Sequence, residues 1–163
     1  MSESNSILII GAGNFYRSDD GAGLAVARRL REAVLPDVEV VEGIGDGTDL
    51  LRLWCGYDRV YIVDAIHAGV PAGEVRRYDL PEQTLPTELA SNQSTHSFNI
   101  AEAIELADAL ASMPDILTIF GIQGKDFSTG TKLSGEVERA VELVVDTILR
   151  EIGDVKSDRG GSD

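Results

Sequence analysis

Three side chains that could bind a metal or move a proton follow predicted strands of this sequence. Asp20 comes after the first predicted strand, Asp64 ends the third, and His96 begins the helix after the fourth. Two carboxylates and an imidazole make an open O,O,N ligand set that suits a borderline divalent metal such as nickel or zinc. The residue types therefore indicate metal-linked or acid–base chemistry.

Each of these residues also has a purely structural explanation. Asp19 or Asp20 could cap the helix that follows, because Asp is favoured at helix N-termini. Asp64 could satisfy the turn after its strand, and His96 could simply start a helix. We interpret His67, which follows Asp64 closely, as an exposed loop residue. The convergence of Asp20, Asp64 and His96 on one edge of a sheet favours a joint role for these three.

The stretch before the first acids is rich in glycine. The aliphatic run Ile7–Ile10 ends at Gly11 and Gly13, which is typical of a strand buried on both faces in a parallel sheet. A dinucleotide-binding fingerprint would need a third glycine where this chain has Tyr16, and no P-loop lysine follows Gly13. Two acids beside the turn would also repel phosphate, so the pattern disfavours nucleotide binding.

Strand and helix patterns alternate along the chain. The predicted strands cover residues 7–10, 38–41, 59–63, 73–80 and 116–120, and apolar residues at helical spacing lie between and after them. This alternation predicts an α/β fold, a three-layer αβα sandwich with a mostly parallel sheet of about five strands. We expect the first three strands in the order 2-1-3, which brings Asp20, Asp64 and His96 to the carboxyl edge near a switch point.

Length and composition favour one domain at residues 7–152, with disordered segments at 1–6 and 153–163. The net charge of −14 argues against nucleic acid or an anionic membrane as a partner. No signal peptide or membrane span is evident, and a single cysteine excludes an internal disulfide, so we expect a cytoplasmic protein. That cysteine, Cys55, is interpreted as a small buried hydrophobe.

Several segments resemble the NiFe-hydrogenase maturation endopeptidases. GAGNFYRSDDGAG is similar to the glycine-rich opening of that family and its acid, and GIGDGTDLL to its second loop. VYIVDA resembles its third strand and acid, STHSFNIAEAI its histidine helix, and LSGEVERAV the start of its last helix. The segments occur in the family's order from about residue 7 to residue 150, which makes the set far more specific than any one of them.

The resemblance implies a function and a site. By position, Asp20, Asp64 and His96 correspond to the family's metal-binding residues, with Asp at a position where some members have Glu. The implied activity is removal of a C-terminal peptide from a NiFe-hydrogenase large-subunit precursor after nickel insertion. The implied metal is nickel, supplied by the precursor, and no organic cofactor is expected.

Two mechanisms and two other classes of function stay open. One of these classes, a hydrolase or phosphorylase on a similar αβα scaffold, would require a basic or glycine-rich phosphate site, which we do not find. The metal could polarise the scissile carbonyl and activate a water, or the three residues could sense the nickel already in the substrate, which is the version we favour. The sequence contains no HExxH motif and no Cys-His pair around Cys55. A non-hydrolytic nickel chaperone would use the same ligands without cutting the precursor.

Overall fold

The computed structural model describes residues 6–44, 47–84 and 100–159. The strands are β1 (Ile7–Gly11), β2 (Val38–Glu42), β3 (Arg59–Ile66), β4 (Val75–Leu80) and β5 (Ile116–Gln123). The helices are α1 (Ala22–Glu32), α2 (Gly47–Leu53), α3 (Ile100–Ala109) and α4 (Gly135–Arg159), and a 3-10 turn at Ser18–Gly21 precedes α1. None of the helices in these ranges has the length and apolar character needed to cross a membrane.

The five strands form one sheet in the order β2-β1-β3-β5-β4. β1 runs parallel to β2 and β3, and β3 runs parallel to β5. β4 is antiparallel to β5 and lies at the edge. The predicted α/β class, the mostly parallel five-stranded sheet and the 2-1-3 order are confirmed.

Helices cover both faces of the sheet, because successive strand residues point to opposite sides. Odd-numbered residues of β1 and β3 pack with α1 and α4, and even-numbered ones pack with α2 and α3. The first core includes Ile9, Val26, Tyr61, Val63, Val141 and Ile148. The second includes Leu8, Ile10, Leu50, Trp54, Ile62 and Ala103. This arrangement is the predicted three-layer αβα sandwich.

The last helix is longer than the sequence predicted. We expected it to end at Gly153, with a disordered segment after it, but α4 continues to Arg159. Adding a turn to a helix that is already anchored by core residues costs little, since nucleation is the expensive step. The added turn also makes a contact: Lys156 Nζ donates to the Pro36 carbonyl oxygen at 2.6 Å. The predicted helix end is therefore wrong.

Cys55 is exposed, so its interpretation as a buried residue is wrong. Leu50 and Trp54 lie one helical turn apart and are both buried. The chain then turns at Cys55 and at Gly56, whose φ is +88°, and the Tyr57 N–H donates to the Trp54 carbonyl oxygen at 3.1 Å. The buried pair fixes α2 against the core, and the turn that follows leaves Cys55 exposed.

Removing the last turn of α4 is expected to lower stability slightly. A chain that ends at Gly153 loses the hydrogen bond from Lys156, which is worth about 1 kcal/mol. For a chain of this size, that loss lowers the melting temperature by about 3 °C. Full-length Lys156→Met keeps the helix and should show the same shift in a thermal melt. A shortened chain that melts with the full-length protein would contradict the contact.

The exposure of Cys55 gives a second test. Because the thiol lies at the surface, it should react with Ellman's reagent in the folded protein nearly as fast as in urea. Cys55→Ser should change the free energy of unfolding by less than about 0.5 kcal/mol. A thiol that reacts only after unfolding would mean that the residue is buried after all.

Candidate functional site

Asp20 lies in the 3-10 turn between β1 and α1 and is only 5% exposed. The Asn14 N–H donates to Asp20 Oδ2 at 3.1 Å. The Asp20 N–H donates to the Arg17 carbonyl oxygen, also at 3.1 Å. Neither the turn nor α1 has a side-chain cap, so the capping explanation for the Asp19-Asp20 pair is wrong. Asp20 instead folds back over the glycine-rich loop that follows β1.

Asp64 lies within β3 and does not end it. The strand continues to Ile66, which pairs with Gln123 of β5, so both strands are longer than predicted. The pairing of β3 with β1 stops at Val63, and Asp64 is the first residue beyond it. Its carboxylate is half-buried, and the Ala65 N–H donates to its Oδ1 at 2.8 Å. Asp64 therefore lies beside the carboxyl end of β1, as expected. Its own strand, β3, continues past this point and stays paired with β5.

Gly13 is the point at which Asp20 and Asp64 approach each other. Its φ is +134°, and a Cβ there would lie 2.0 Å from the Asp20 carbonyl oxygen and 3.9 Å from Asp64 Oδ1. Only a residue without a side chain can take this position. The structure thus brings two of the three predicted site residues together around one glycine.

The structure describes only one of the two histidines, His67. His96, the third predicted ligand, lies outside the described residues, and within those residues no group of three His, Cys, Asp or Glu side chains could hold a metal ion. His67 is exposed and stacks on Phe127, with ring centroids 4.4 Å apart. Phe127 packs against the core under α1 and α4, whereas Asp64 is an even-numbered strand residue of the opposite face. His67 is therefore the loop residue that we predicted.

Asp19 has a role that the sequence did not reveal. It is fully buried, and its carboxylate accepts four hydrogen bonds. Oδ2 accepts from the Lys125 N–H at 2.8 Å, the Asp126 N–H at 2.9 Å and the Ser134 hydroxyl at 2.9 Å, and Oδ1 accepts from the Ser134 N–H at 2.7 Å. We call this set of bonds the Asp19 clamp. The adjacent acids were the only signal, because every donor lies more than 100 residues further along the chain.

Two stabilised carboxylates lie near these donors, Asp126 in the loop and Glu136 at the start of α4. The Ser128 hydroxyl and N–H donate to Asp126 at 2.6 and 2.9 Å and lower the pKa of that residue. The backbone N–H of Glu136 and the Lys125 ammonium, 3.2 Å away, lower the pKa of Glu136. Both groups therefore remain negative to lower pH than an ordinary carboxyl.

A cleft of about 460 Å³ opens beside the turn that holds Asp20. One wall comes from the turn and the start of α1, and the other from the loop before α4. The lining residues include Phe15, Ser18, Gly21, Ala25, Lys132 and Leu133. Tyr16 stands at this edge with 69% of its surface exposed, its ring 5.8 Å from that of Phe15. The cleft neighbours the turn that carries Asp20, but neither Asp20 nor Asp64 is among its lining residues.

Gly13→Ala should destabilise the protein more than Gly43→Ala. Both glycines have positive φ, but a Cβ at Gly43 meets nothing within 4 Å. Gly43→Ala should cost only backbone strain, about 1–3 kcal/mol, and Gly13→Ala should exceed this because the Asp20 backbone must move. Urea unfolding measures both losses. Equal losses would show that the loop accommodates a methyl group and that the approach is not tight.

Comparisons with known proteins agree on one family. A model of the HycI hydrogenase maturation proteases matches residues 24–151, a range that contains Asp64 and His96 and begins just after Asp20. A relative from Methanocaldococcus jannaschii is 33% identical, over 92% of this chain and 98% of its own. The hydrogenase 2 maturation protease of Escherichia coli is 26% identical, over 88% of each chain.

Solved structures show the same fold. The hydrogenase maturating endopeptidase HybD of Escherichia coli superposes with a TM-score of 0.80 at 22% identity, over 92% of this chain and 93% of its own. The NiFe-hydrogenase maturation protease HycI of Thermococcus kodakarensis has a TM-score of 0.66 at 29% identity, over 88% of this chain and 90% of its own. Since the family model spans most of the sequence, the chain belongs to the hydrogenase maturation proteases and is an endopeptidase of that family.

Proposed function

We propose that this endopeptidase removes the C-terminal extension of a NiFe-hydrogenase large-subunit precursor after nickel has been inserted. The observation that carries the proposal is that the backbone of Asp20 and the carboxylate of Asp64 approach each other at Gly13, at the carboxyl ends of β1 and β3. Membership of the family supports the reaction class. The cleft beside Asp20 offers room for the segment of the precursor that flanks the cut.

The two carboxylates are oriented by the fold. One oxygen of each accepts a backbone N–H, from Asn14 for Asp20 and from Ala65 for Asp64. A hydrogen bond of this kind fixes the rotation of a carboxylate before the substrate arrives, which lowers the entropic cost of binding and reaction. With the imidazole of His96 as third ligand, the proposed set is two oxygens and one nitrogen, which suits nickel.

In this proposal, the nickel is part of the substrate. Asp20, Asp64 and His96 contact the ion seated in the precursor, and that contact positions the scissile peptide bond at the edge of the sheet. A water attacks the carbonyl carbon, a carboxylate of the site accepts the proton of that water, and the proton passes to the leaving amine as the C–N bond breaks. A precursor without nickel would lack the positioning contact.

Removal of a site side chain should abolish processing and leave the fold intact. Asp20→Asn, Asp64→Asn and His96→Ala should each slow cleavage at least about 100-fold, the usual contribution of a positioned acid or base. Asn at position 64 can still accept the Ala65 N–H, so β3 should keep its structure. The mass of the nickel-loaded precursor reports cleavage, and circular dichroism reports folding. Asp146→Asn, which changes an exposed carboxylate of α4, is the matched control and should cut normally.

The decisive measurement varies the metal. Precursor made without nickel should remain uncut, and nickel-loaded precursor should be cut by enzyme that has been stripped of metal. If zinc-loaded enzyme cuts nickel-free precursor equally fast, the metal acts in hydrolysis and the sensor version is wrong. If the wild-type protein binds nickel-loaded precursor without ever cutting it, the chaperone function replaces the one proposed here.

A further inference from the structure

We infer that Asp19 is a positioning residue that holds Asp20 in register with Asp64, an inference that rests on the proposed function. Asp19 itself is fully buried and cannot touch a precursor. Its influence on the site must therefore pass through the chain that it anchors.

The clamp fixes Asp19 in one place. A buried carboxylate without donors is strongly disfavoured, and here all four donors belong to one segment, residues 125–134. Hydrogen bonds to an ionised acceptor are roughly twice as strong as neutral ones. Space is also limited, because Cβ of Asp19 lies only 3.1 Å from where a Cβ of Gly124 would be. Asp19 cannot shift without giving up several of these contacts.

The backbone carries this restraint to Asp20. The Asp19 N–H donates to the Asp126 carbonyl oxygen at 2.9 Å, and the Ser18 N–H donates to the Gly130 carbonyl oxygen at 2.8 Å. The backbone of Ser18 and Asp19, immediately before Asp20, is thus tied to the same segment. On its far side, Asp20 meets Gly13. Asp20 is held between the glycine loop and the clamp.

The segment that holds the clamp begins where β5 ends. β5 pairs with β3 along its whole length, and Gly121 lies opposite Asp64 in that pairing. The clamp therefore connects the turn after β1, which carries Asp20, with the β3–β5 pair, which carries Asp64. Gly23 of α1 also packs directly on the Val63 carbonyl of β3, so the clamp adds a second restraint to that contact.

Three variants test this role, each measured as kcat and KM for nickel-loaded precursor. In Asp19→Asn, the amide nitrogen must face either the Ser134 N–H or the N–H groups of Lys125 and Asp126, so at least one acceptor is lost. Ser134→Ala removes only the hydroxyl donor. Ser128→Ala is the matched control, since its hydroxyl donates to Asp126 in the same loop and does not touch Asp19.

We expect kcat to fall about 100-fold in Asp19→Asn, the effect of a displacement near 1 Å at a reacting centre. Ser134→Ala should show a smaller fall, and Ser128→Ala should match the wild type. KM should change less than kcat in all three, because the substituted side chains do not contact the precursor and only Asp20 is displaced. The assays are run at a temperature at which circular dichroism shows every variant folded.

Amide exchange supplies a readout that does not depend on cleavage. The Asp20 N–H, bonded to the Arg17 carbonyl oxygen, should exchange faster in Asp19→Asn and Ser134→Ala but not in Ser128→Ala. Amides of β3 and β5 should keep their protection in all three. General loss of protection across the sheet would instead show a merely structural role.

The possible failures are distinguishable. The positioning role is overturned if Asp19→Asn is folded and cuts at the wild-type kcat. It is also overturned if Ser128→Ala loses as much kcat as Ser134→Ala. If Asp19→Asn does not fold, the comparison of Ser134→Ala with Ser128→Ala decides the matter alone. If the wild-type protein fails to cut, the proposed function is wrong, while the exchange of the Asp20 amide still tests the clamp.

Discussion

The site depends on how closely the start of α1 approaches the carboxyl ends of β1 and β3. A Cβ at Gly23 would lie 2.2 Å from the Val63 carbonyl oxygen and 2.4 Å from that of Ala12. A Cβ at Gly11 would lie 2.4 Å from the carbonyl oxygen of Gly23. Backbone therefore packs on backbone here, and no larger residue fits. This contact brings the turn before α1, and Asp20 within it, down to the edge of the sheet where Asp64 stands.

The two adjacent acids in that turn, Asp19 and Asp20, have different roles because their hydrogen-bond partners differ. Asp19 points into the protein and meets four donors from one distant segment, whereas Asp20 turns to the loop that follows β1. The first interaction stabilises the position of the turn, and the second orients a carboxylate at the carboxyl ends of the strands. Of these two identical residues, Asp19 is thus a structural anchor, and Asp20 is the one that we propose to act on the substrate.

The sequence predicted the parts of this fold that follow from local pattern. Aliphatic runs located the strands, and the order of β1, β2 and β3 followed from the rules for crossover connections. Strand ends were harder to predict, because β3 and β5 extend each other by pairing as far as Ile66 and Gln123, where the local composition suggests a loop. Cys55 was misread for a related reason: its exposure depends on how Trp54 is fixed in the core.

The Asp19 clamp could not be predicted from local pattern at all, and this bears on how such a site can be recognised. Asp20, Asp64 and the clamp donors belong to three separate segments, residues 13–23, 59–66 and 124–134. Their relative positions are set by the sheet and by the packing of α1 on it. A short motif from any one segment carries little information about the other two. An ordered set of segments implies the sheet order and thereby the meeting of the acids. Similarity along most of the chain is therefore stronger evidence for this site than a glycine-rich motif with two acids.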